Sequence, residues 1–364
     1  MNPTIEKIVN LLFEDLEETE ETSALHEEVL NNCQERFSDL VENGMTADEA
    51  TGAVIESLKG MEDALRDYPR KARPAEPAGG EQTDYQFCSS GIRHISMQLM
   101  HEDVVCELSP DDAIHVKVPS SVQVSHQGDQ LLIRHERKLS GFSVNFRLSS
   151  FSFSFSSDTV RLLLPEALLT DTEIQTASGN AEWLKAPAER LHITTASGDV
   201  RVEDAALHAA EIHTVSGDVE MTNISAERVQ IHTASGGVSC RKCRLADAVQ
   251  AVSASGDLFW SGECPSVQLS SVSGDARCQG LCERIQCRTT SGDVSLTASP
   301  ALQRLTGQTV SGDARFALPA GLQPQLRCRS LLGELCSHVT SDPSSPVVIE
   351  WTATSGDITI EEQA

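Results

Sequence analysis

The chain has 364 residues, of which 54 are acidic and 28 basic, so its formal net charge at pH 7 is −26. Because nucleic acids and anionic membranes bind basic surfaces, this charge argues against both as the main partner. The sequence has no charged-then-apolar leader and no run of 18 apolar residues, which predicts neither a signal peptide nor a membrane span. We expect a cytoplasmic protein that can associate with the membrane through a partner.

Residues 1–70 form a separate acidic region with helical periodicity. They hold 18 acidic and 5 basic residues, which is half of the excess charge. Apolar residues recur at helical spacing in three stretches; Gly44 ends the second helix, and Thr46 with Glu49 forms a capping box for the third. The stretch around "ENGMTADEA" is similar to the small helical prefix domains of Gram-positive membrane and signalling proteins. That resemblance implies a bacterial regulatory or envelope-associated context, and we expect the region to serve as a docking module for a protein partner.

A linker and an irregular β region follow the helical region. Residues 71–84, "KARPAEPAGGEQTD", are rich in Pro, Gly and Ala and predict a flexible linker. Residues 85–170 alternate between apolar and polar side chains, as strands do. We expect them to form either the first, less regular coils of the next domain or a cap over its open end.

An aromatic segment at residues 141–158, "GFSVNFRLSSFSFSFSSD", holds half of the ten Phe residues of the chain. One interpretation is a hairpin whose Phe side chains plug the end of the next domain. An exposed, flat aromatic hairpin would promote aggregation, which favours this interpretation. The other is an exposed patch for a partner, and its candidate interaction residues are Phe142, Phe146, Phe151, Phe153 and Phe155.

The C-terminal half, residues 171–364, repeats a Ser-Gly-Asp tripeptide every 18 to 23 residues. The repeat glycines are Gly179, Gly198, Gly217, Gly236, Gly256, Gly274, Gly292, Gly312 and Gly356, with a degenerate copy at Gly333. A repeat of this length predicts a solenoid in which each coil packs on its neighbours.

Each repeat follows one pattern around its glycine. The positions seven and five before it, and two and four after it, are mostly apolar, and the position three before it is Thr or Ser in the central repeats. Alternation of this kind predicts two short strands with one buried face around a Ser-Gly-Asp corner, followed by an irregular return. The fold class is therefore mainly β: a β-solenoid of about ten coils with a small N-terminal all-α domain.

The run "LHITTASGDVRVEDAALHAAEIHTVSGDVEMTNI", with the strand-like "IHVKVPSSVQVSHQGDQLLIRHE" before it, resembles the bacterial putative-adhesin family. That family consists of domains of unknown function built as β-solenoids with SGD(V/I) repeats. The resemblance covers about residues 85–364. It implies the solenoid fold and brings neither catalytic residues nor a cofactor.

A row of acidic residues follows the repeat glycines. Stacked carboxylates about 5 Å apart repel each other by roughly 1 kcal/mol in water. Capping of each turn's own amides relieves this repulsion and also explains the Ser and Gly, so we favour it. The alternative is weak binding of a divalent cation between coils. The candidate metal ligands are Asp199, Asp218, Asp257, Asp275, Asp293 and Asp313, with Gly237 interrupting the row.

Eleven cysteines suggest two interpretations. Three occupy inward core positions of the repeat and predict buried thiols in a reducing compartment: Cys240, Cys278 and Cys287. Three others follow the glycines of consecutive coils by seven or eight residues: Cys243, Cys264 and Cys282. For these, core thiols are favoured over a disulfide, and over a thiolate metal site that includes Cys240.

Three histidines lie on one outward face. His213 and His232 occupy equivalent positions on neighbouring coils, and His192 is on the same face of the preceding coil. An exposed histidine ladder is the favoured interpretation, and a transition-metal site is the alternative.

These observations favour a non-enzymatic, adhesin-like interaction scaffold, and the two resemblances imply a role in bacterial envelope-associated regulation. We expect a protein partner bound through residues 1–70, no nucleic acid, and a homodimer through contact between solenoid ends. The alternative is a β-helix that binds or cleaves polysaccharide, which requires carboxylates and basic residues to converge in one groove. Surface adhesion proper is a third hypothesis and requires an export signal.

Overall fold

The computed structural model describes residues 19–42, 82–135 and 159–363, together with isolated positions between 5 and 65. The described residues are mainly β, with one long N-terminal helix. None of the helices among them is long and apolar enough to cross a membrane.

Helix α1, Glu20–Glu42, is the second helix that the sequence predicts. Thr19 and Thr22 cap its start reciprocally, since the Thr22 amide donates to Thr19 Oγ1 at 3.1 Å and the Thr19 amide donates to Thr22 Oγ1 at 2.8 Å. The capping box predicted for the third helix lies outside the described residues. The described positions of the first and third predicted helices include Val9 and Val54, which are helical.

The solenoid has one set of strands that precede the corner and one set that follow it. Those before the corner are β2 (His94–Gln98), β6 (Gln130–His135), β8 (Asp171–Thr176), β10 (Ala188–Thr195), β12 (Leu207–Thr214), β14 (Ser225–Thr233), β19 (Arg304–Thr309), β21 (Gln325–Ser330) and β23 (Val348–Ala353). Those after it are β3 (Asp103–Leu108), β7 (Thr159–Leu164), β9 (Ala181–Leu184), β11 (Val200–Glu203), β13 (Val219–Thr222), β18 (Val294–Thr297), β20 (Ala314–Leu318), β22 (Leu335–Ser337) and β24 (Ile358–Glu362).

Neighbouring coils pair in parallel and in register, so equivalent residues stack. Ile193 lies opposite Ile212, which lies opposite Ile231 on the next coil. All three are buried. The alternating pattern therefore produces one continuous apolar core, whose largest fully buried side chains include Trp183, Trp260, Trp351 and Phe316.

In three central coils the strand continues through the return instead of leaving it irregular. These long strands are β15 (Val238–Ser253), β16 (Leu258–Ser271) and β17 (Ala276–Thr289). Their alternation sets which side chain of the return faces inward. In β17 this is Cys282, so the adjacent Leu281 points to solvent.

The order of the coils differs from the order of the sequence at both ends. At the C-terminal end, β23 lies between β19 and β21, and β24 lies between β20 and β22. The last repeat of the sequence is therefore an inner coil, and the degenerate repeat around Gly333 is the outermost described one. At the N-terminal end β2 lies between β6 and β8, and β3 lies between β7 and β9.

Antiparallel strands cover the N-terminal end. They are β1 (Thr83–Cys88), β4 (Ala113–Val118) and β5 (Val122–Gln127). Strand β4 pairs with β1 and β7, and β5 pairs with β6. They occupy edges that would otherwise be open to pairing with another chain.

Candidate functional site

The corner of each coil is built by close backbone stacking. The repeat glycines form a column in which a Cβ atom on any one would lie 1.9–2.2 Å from a carbonyl oxygen of the adjoining coil. The Thr or Ser three residues earlier holds the corner from inside; for example, the Gly198 amide donates to Thr195 Oγ1 at 2.9 Å. At each of these glycines a side chain would force the coils apart.

The aspartates of the corner cap the amides of the next coil, not those of their own turn. The Asp218 amide donates to Asp199 Oδ1 at 2.9 Å, and the Gly237 amide donates to Asp218 Oδ1 at 2.7 Å. After Gly237 the same bond, at 2.8–2.9 Å, joins the row Asp257, Asp275, Asp293, Asp313 and Asp357. One carboxylate oxygen of each candidate metal ligand thus accepts a backbone N–H, which offsets the repulsion between coils.

The residues two positions before the repeat glycines form a continuous outer edge of the solenoid, here named the corner ridge. It consists of Ala177, Ala196, Val215, Ala234, Ala254, Val272, Thr290, Val310 and Thr354. Neighbouring corners are joined by backbone bonds, such as the one from the Ser291 amide to the Val272 carbonyl at 2.8 Å. The ridge therefore presents its side chains at regular spacing along the rod.

The helical region packs on part of the corner ridge. Ala234 is buried in an apolar cluster with residues of the helical region, among them Val29 and Cys33, and Val215 packs against the same cluster. Farther along the ridge, Val272 is 51% exposed and Val310 is 42% exposed. Equivalent positions of one column are therefore covered in some coils and open to solvent in others.

The outermost C-terminal coil also exposes apolar side chains. In the segment from β21 to β22, Leu332 is 78% exposed, and Leu331 and Leu335 are exposed as well. Strands β21 and β22 pair with β23 and β24 on one side, and among the described strands none pairs with their other side. A loop covers part of this edge, since the Leu326 amide donates to Ser341 Oγ.

An open groove of about 520 Å³ crosses the outer face of strands β2, β6, β8, β10, β12 and β14. His192 and Glu211 line it as register partners on β10 and β12. His213 lies beside Glu211, and its ring stacks on that of His232 with centroids 5.0 Å apart. The predicted outward histidine ladder is thus observed, and Glu211 joins it.

A buried carboxylate near the N-terminal end replaces one repeat glycine. Glu102 is fully buried and stacks on Gly179, while the amides of Met100 and His101 donate to its Oε2 at 2.9 and 3.2 Å. His135 Nδ1 lies 2.5 Å from Oε1. Burial acts to raise the pKa of Glu102, but these hydrogen bonds and the two nearby histidines outweigh it and lower the pKa to about 2.

The sequence matches the family described as Toastrack DUF4097 over residues 92–361. This span covers more than half of the chain and includes every repeat glycine. The chain belongs to this family. The resemblance inferred from the Ser-Gly-Asp repeats is therefore confirmed, and the family is a domain of unknown function.

Several solved structures are similar to this Toastrack protein. One is a putative lipid binding protein from Parabacteroides distasonis (16% identity, TM-score 0.39), of which 98% is covered along with 79% of this chain. Another is a putative adhesin from Parabacteroides merdae (12% identity, TM-score 0.38), with the same coverage. A third, a putative adhesin from Bacteroides fragilis, has 11% identity and a TM-score of 0.35 and covers 78% of this chain and 97% of its own. No curated protein matches the sequence.

The thiols of this Toastrack domain lie mostly in the core. Cys240, Cys278 and Cys287 are buried, as predicted from their inward positions. Cys264 and Cys282 are register partners on β16 and β17, whereas Cys243 lies opposite Gly262 because the register shifts beside it. These three thiols are also free and buried.

Some residues to which the sequence pointed lie outside the described part of the chain, and two acidic residues, Glu102 and Glu211, lie in clusters to which it did not point. The aromatic segment with its five candidate Phe residues lies outside the described residues, between β6 and β7. The sequence did not point to Glu102, because residues 101–103 are His-Glu-Asp where other corners have Ser-Gly-Asp, so the corner is not recognisable from the repeat. The sequence did not point to Glu211 either, because its two neighbours, His192 and His213, come from different coils. The signal that was present is the alternating "EIH", which places Glu211 and His213 on one face of the strand.

Proposed function

We propose that this protein is a non-enzymatic interaction scaffold whose corner ridge binds helical segments. The observation that carries the proposal is the unequal exposure of equivalent ridge residues. Val215 and Ala234 contact the apolar cluster of the helical region, while Val272 and Val310 of the same column are exposed. A surface that already packs against helices in one part is suited to do so in its continuation.

The chemistry of the ridge defines the partner. Complete burial of the half-exposed Val272 and Val310 contributes about 1 kcal/mol each, so several ridge positions must be covered together for stable binding. The aspartates of the corner follow the ridge three residues later and add negative charge beside it. The partner is therefore an amphipathic helix with an apolar stripe and basic flanking residues, which the net charge of −26 also favours.

The cellular setting forms part of the same proposal. The similarity of residues 1–70 to helical prefix domains of membrane and signalling proteins supports envelope-associated regulation. In this setting the scaffold is cytoplasmic and reaches the membrane through its partner.

The test measures which proteins are captured from native lysate by the full chain and by two of its variants. Val272→Asp combined with Val310→Asp places charge on the ridge; Leu281→Asp, at a residue with the same 51% exposure as Val272 but on the return face, is the matched control. We expect one partner to be captured by the wild type and the control and to be lost with the ridge variant. Equal capture by the ridge variant would refute the proposal, as would loss with the control alone.

We also propose that the outermost coil mediates self-association. Exposed Leu331 and Leu332 lie beside the edge strands β21 and β22, and such edges pair readily with a second copy. Sedimentation of the full chain measures this directly. We expect dimers that dissociate in Leu332→Asp and persist in Leu169→Asp, a control at another exposed leucine; a monomeric wild type would refute this proposal.

The polysaccharide alternative has less support from the groove. Its two arginines are already engaged: Arg190 Nε donates to Asp171 Oδ1 at 2.9 Å, and Arg228 Nε donates to Asp247 Oδ2 at 3.2 Å. An acidic sugar would have to displace these carboxylates. The scaffold proposal is therefore favoured.

A further inference from the structure

Two histidines and one glutamate converge on the outer face of neighbouring coils. His192 on β10 is the register partner of Glu211 on β12, and His213 follows Glu211 by two residues and so shares its face. The candidate ligand atoms of these three residues all lie within 4.8 Å of one another. Because the strands belong to the rigid stack of the solenoid, this arrangement is held by the fold.

The carboxylate of Glu211 is shared between the two imidazoles. His213 Nε2 lies 2.8 Å from Oε1, and His192 Nδ1 lies 3.4 Å from Oε2. Ligand atoms around a tetrahedral zinc ion are roughly 3.3 Å apart. The His192–Glu211 pair already has this separation, and the His213–Glu211 pair reaches it when a side chain moves by about half an ångström. The ligand atoms of the two histidines lie within the 4.8 Å limit of the cluster.

A contact with Thr194 orients the His192 ring toward Glu211. Thr194 Oγ1 lies 3.1 Å from His192 Nε2, so that in the tautomer whose Nε2–H donates to Thr194 the Nδ1 lone pair faces Glu211.

We propose that His192, Glu211 and His213 form a binding site for a divalent transition-metal ion of the zinc type. Two imidazoles and one carboxylate suit Zn²⁺, Co²⁺ and Cu²⁺, whereas Ca²⁺ and Mg²⁺ prefer oxygen ligands. All three side chains are partly exposed, and His192 and Glu211 line the open groove. The fourth coordination position therefore faces solvent and is available to water or a small anion.

The experiment measures metal binding to the full chain after chelator treatment. Zn²⁺ is titrated calorimetrically and Co²⁺ by its visible d–d absorption, in a Cys88→Ser, Cys336→Ser background because these two thiols are exposed. We expect one metal ion at this site. His192→Gln, Glu211→Gln and His213→Gln should each weaken binding by more than about 100-fold, and Thr194→Val by about 10-fold.

A matched control separates this site from ordinary cross-strand pairs. His208 and Glu227 also face each other across neighbouring coils, with His208 Nδ1 3.2 Å from Glu227 Oε2, but they do not belong to a three-ligand cluster among the described residues. His208→Gln should therefore bind metal as the wild type does. Equal loss with His208→Gln, or wild-type affinity in His192→Gln, would overturn the proposal.

X-ray absorption of the zinc-loaded wild type gives a readout that does not depend on folding of the variants. We expect two imidazoles and oxygen ligands at about 2.0–2.2 Å. A shell of sulfur at about 2.3 Å would instead assign the metal to cysteines, and absence of binding in the wild type would overturn the proposal outright.

Discussion

The glycine column predicts a large difference between two adjacent substitutions, Gly236→Ala and Gly237→Ala. A Cβ on Gly236 would lie 1.9 Å from the Gly217 carbonyl oxygen, whereas a Cβ on Gly237 would have its nearest neighbours, Asp218 Oδ1 and the Asp257 oxygen, at 3.6 Å. The two glycines share one corner and one sequence context. The pair therefore isolates the effect of the close contact.

The distances give the expected magnitude. Real Cβ atoms do not approach other atoms within 3.0 Å, so Gly236→Ala must open the spacing between two coils locally by more than 1 Å. The hydrogen bonds on both sides of the corner, including that from the Gly236 amide to Thr233 Oγ1 at 3.0 Å, are strained by the same movement. We expect a loss of about 3 kcal/mol or more for Gly236→Ala, and a change within about 0.5 kcal/mol for Gly237→Ala.

Guanidinium unfolding of the full chain gives the loss of stability, and hydrogen exchange locates it. Because each coil contacts only its neighbours, the loss of protection should be greatest in the coils that contain Gly217, Gly236 and Gly256 and should decline toward both ends. Equal stability of the two variants would refute the close-stacking argument. So would a uniform loss of protection along the whole solenoid.

Three further predictions follow from the corner network. Gly237→Asn should stabilise the protein by about 1 kcal/mol in the same unfolding assay, because the Asp257 amide has no side-chain acceptor among the described residues. In another coil an asparagine already makes such a bond, since Asn180 Oδ1 accepts from the Asp199 amide at 2.9 Å. A loss of stability in Gly237→Asn would contradict this prediction. Glu102 should stabilise the fold by about 3 kcal/mol above pH 4.5, and this contribution is lost as pH falls toward 2, since folding lowers the pKa of Glu102 from 4.5 to about 2. The stability gap between wild type and Glu102→Gln should therefore close over that range, and a gap that stays constant would contradict it. Millimolar Ca²⁺ should leave the melting temperature unchanged, because one oxygen of each corner aspartate already accepts an amide; a rise would indicate cations between the carboxylates.

The repeat pattern predicted the central coils because all their interactions recur at one spacing. Each position of the repeat meets its equivalent on the next coil, so apolar residues such as Ile193 and Ile212 follow directly from the sequence period. The direction of the aspartate bonds did not follow from it. A carboxylate can cap its own turn or the next coil, and only the spacing between coils decides between the two.

The order of the terminal coils could not be predicted from local sequence. Gly333 precedes Gly356 in the sequence, yet Gly356 stacks on Gly312 and Gly333 stacks on Gly356. One signal was present: "LLGELC" has leucines where inner coils have Ser or other small residues, which is typical of a coil with an open side. The sequence did not predict the contact of the helical region with Val215 and Ala234, because the repeat has the same period whether its corner ridge is exposed or covered.

The same corner that makes the solenoid rigid also determines which of its surfaces is available for binding. Glycine and aspartate make their contacts along the stack and threonine binds an amide of its own corner, so these three positions tolerate little substitution. The ridge residues contribute their backbone to the stack but not their side chains, as the bond from the Ser291 amide to the Val272 carbonyl illustrates. Substitution of Val272 or Val310 therefore changes the surface with little effect on the fold. This separation of stacking from recognition is what the proposed helix-binding ridge requires.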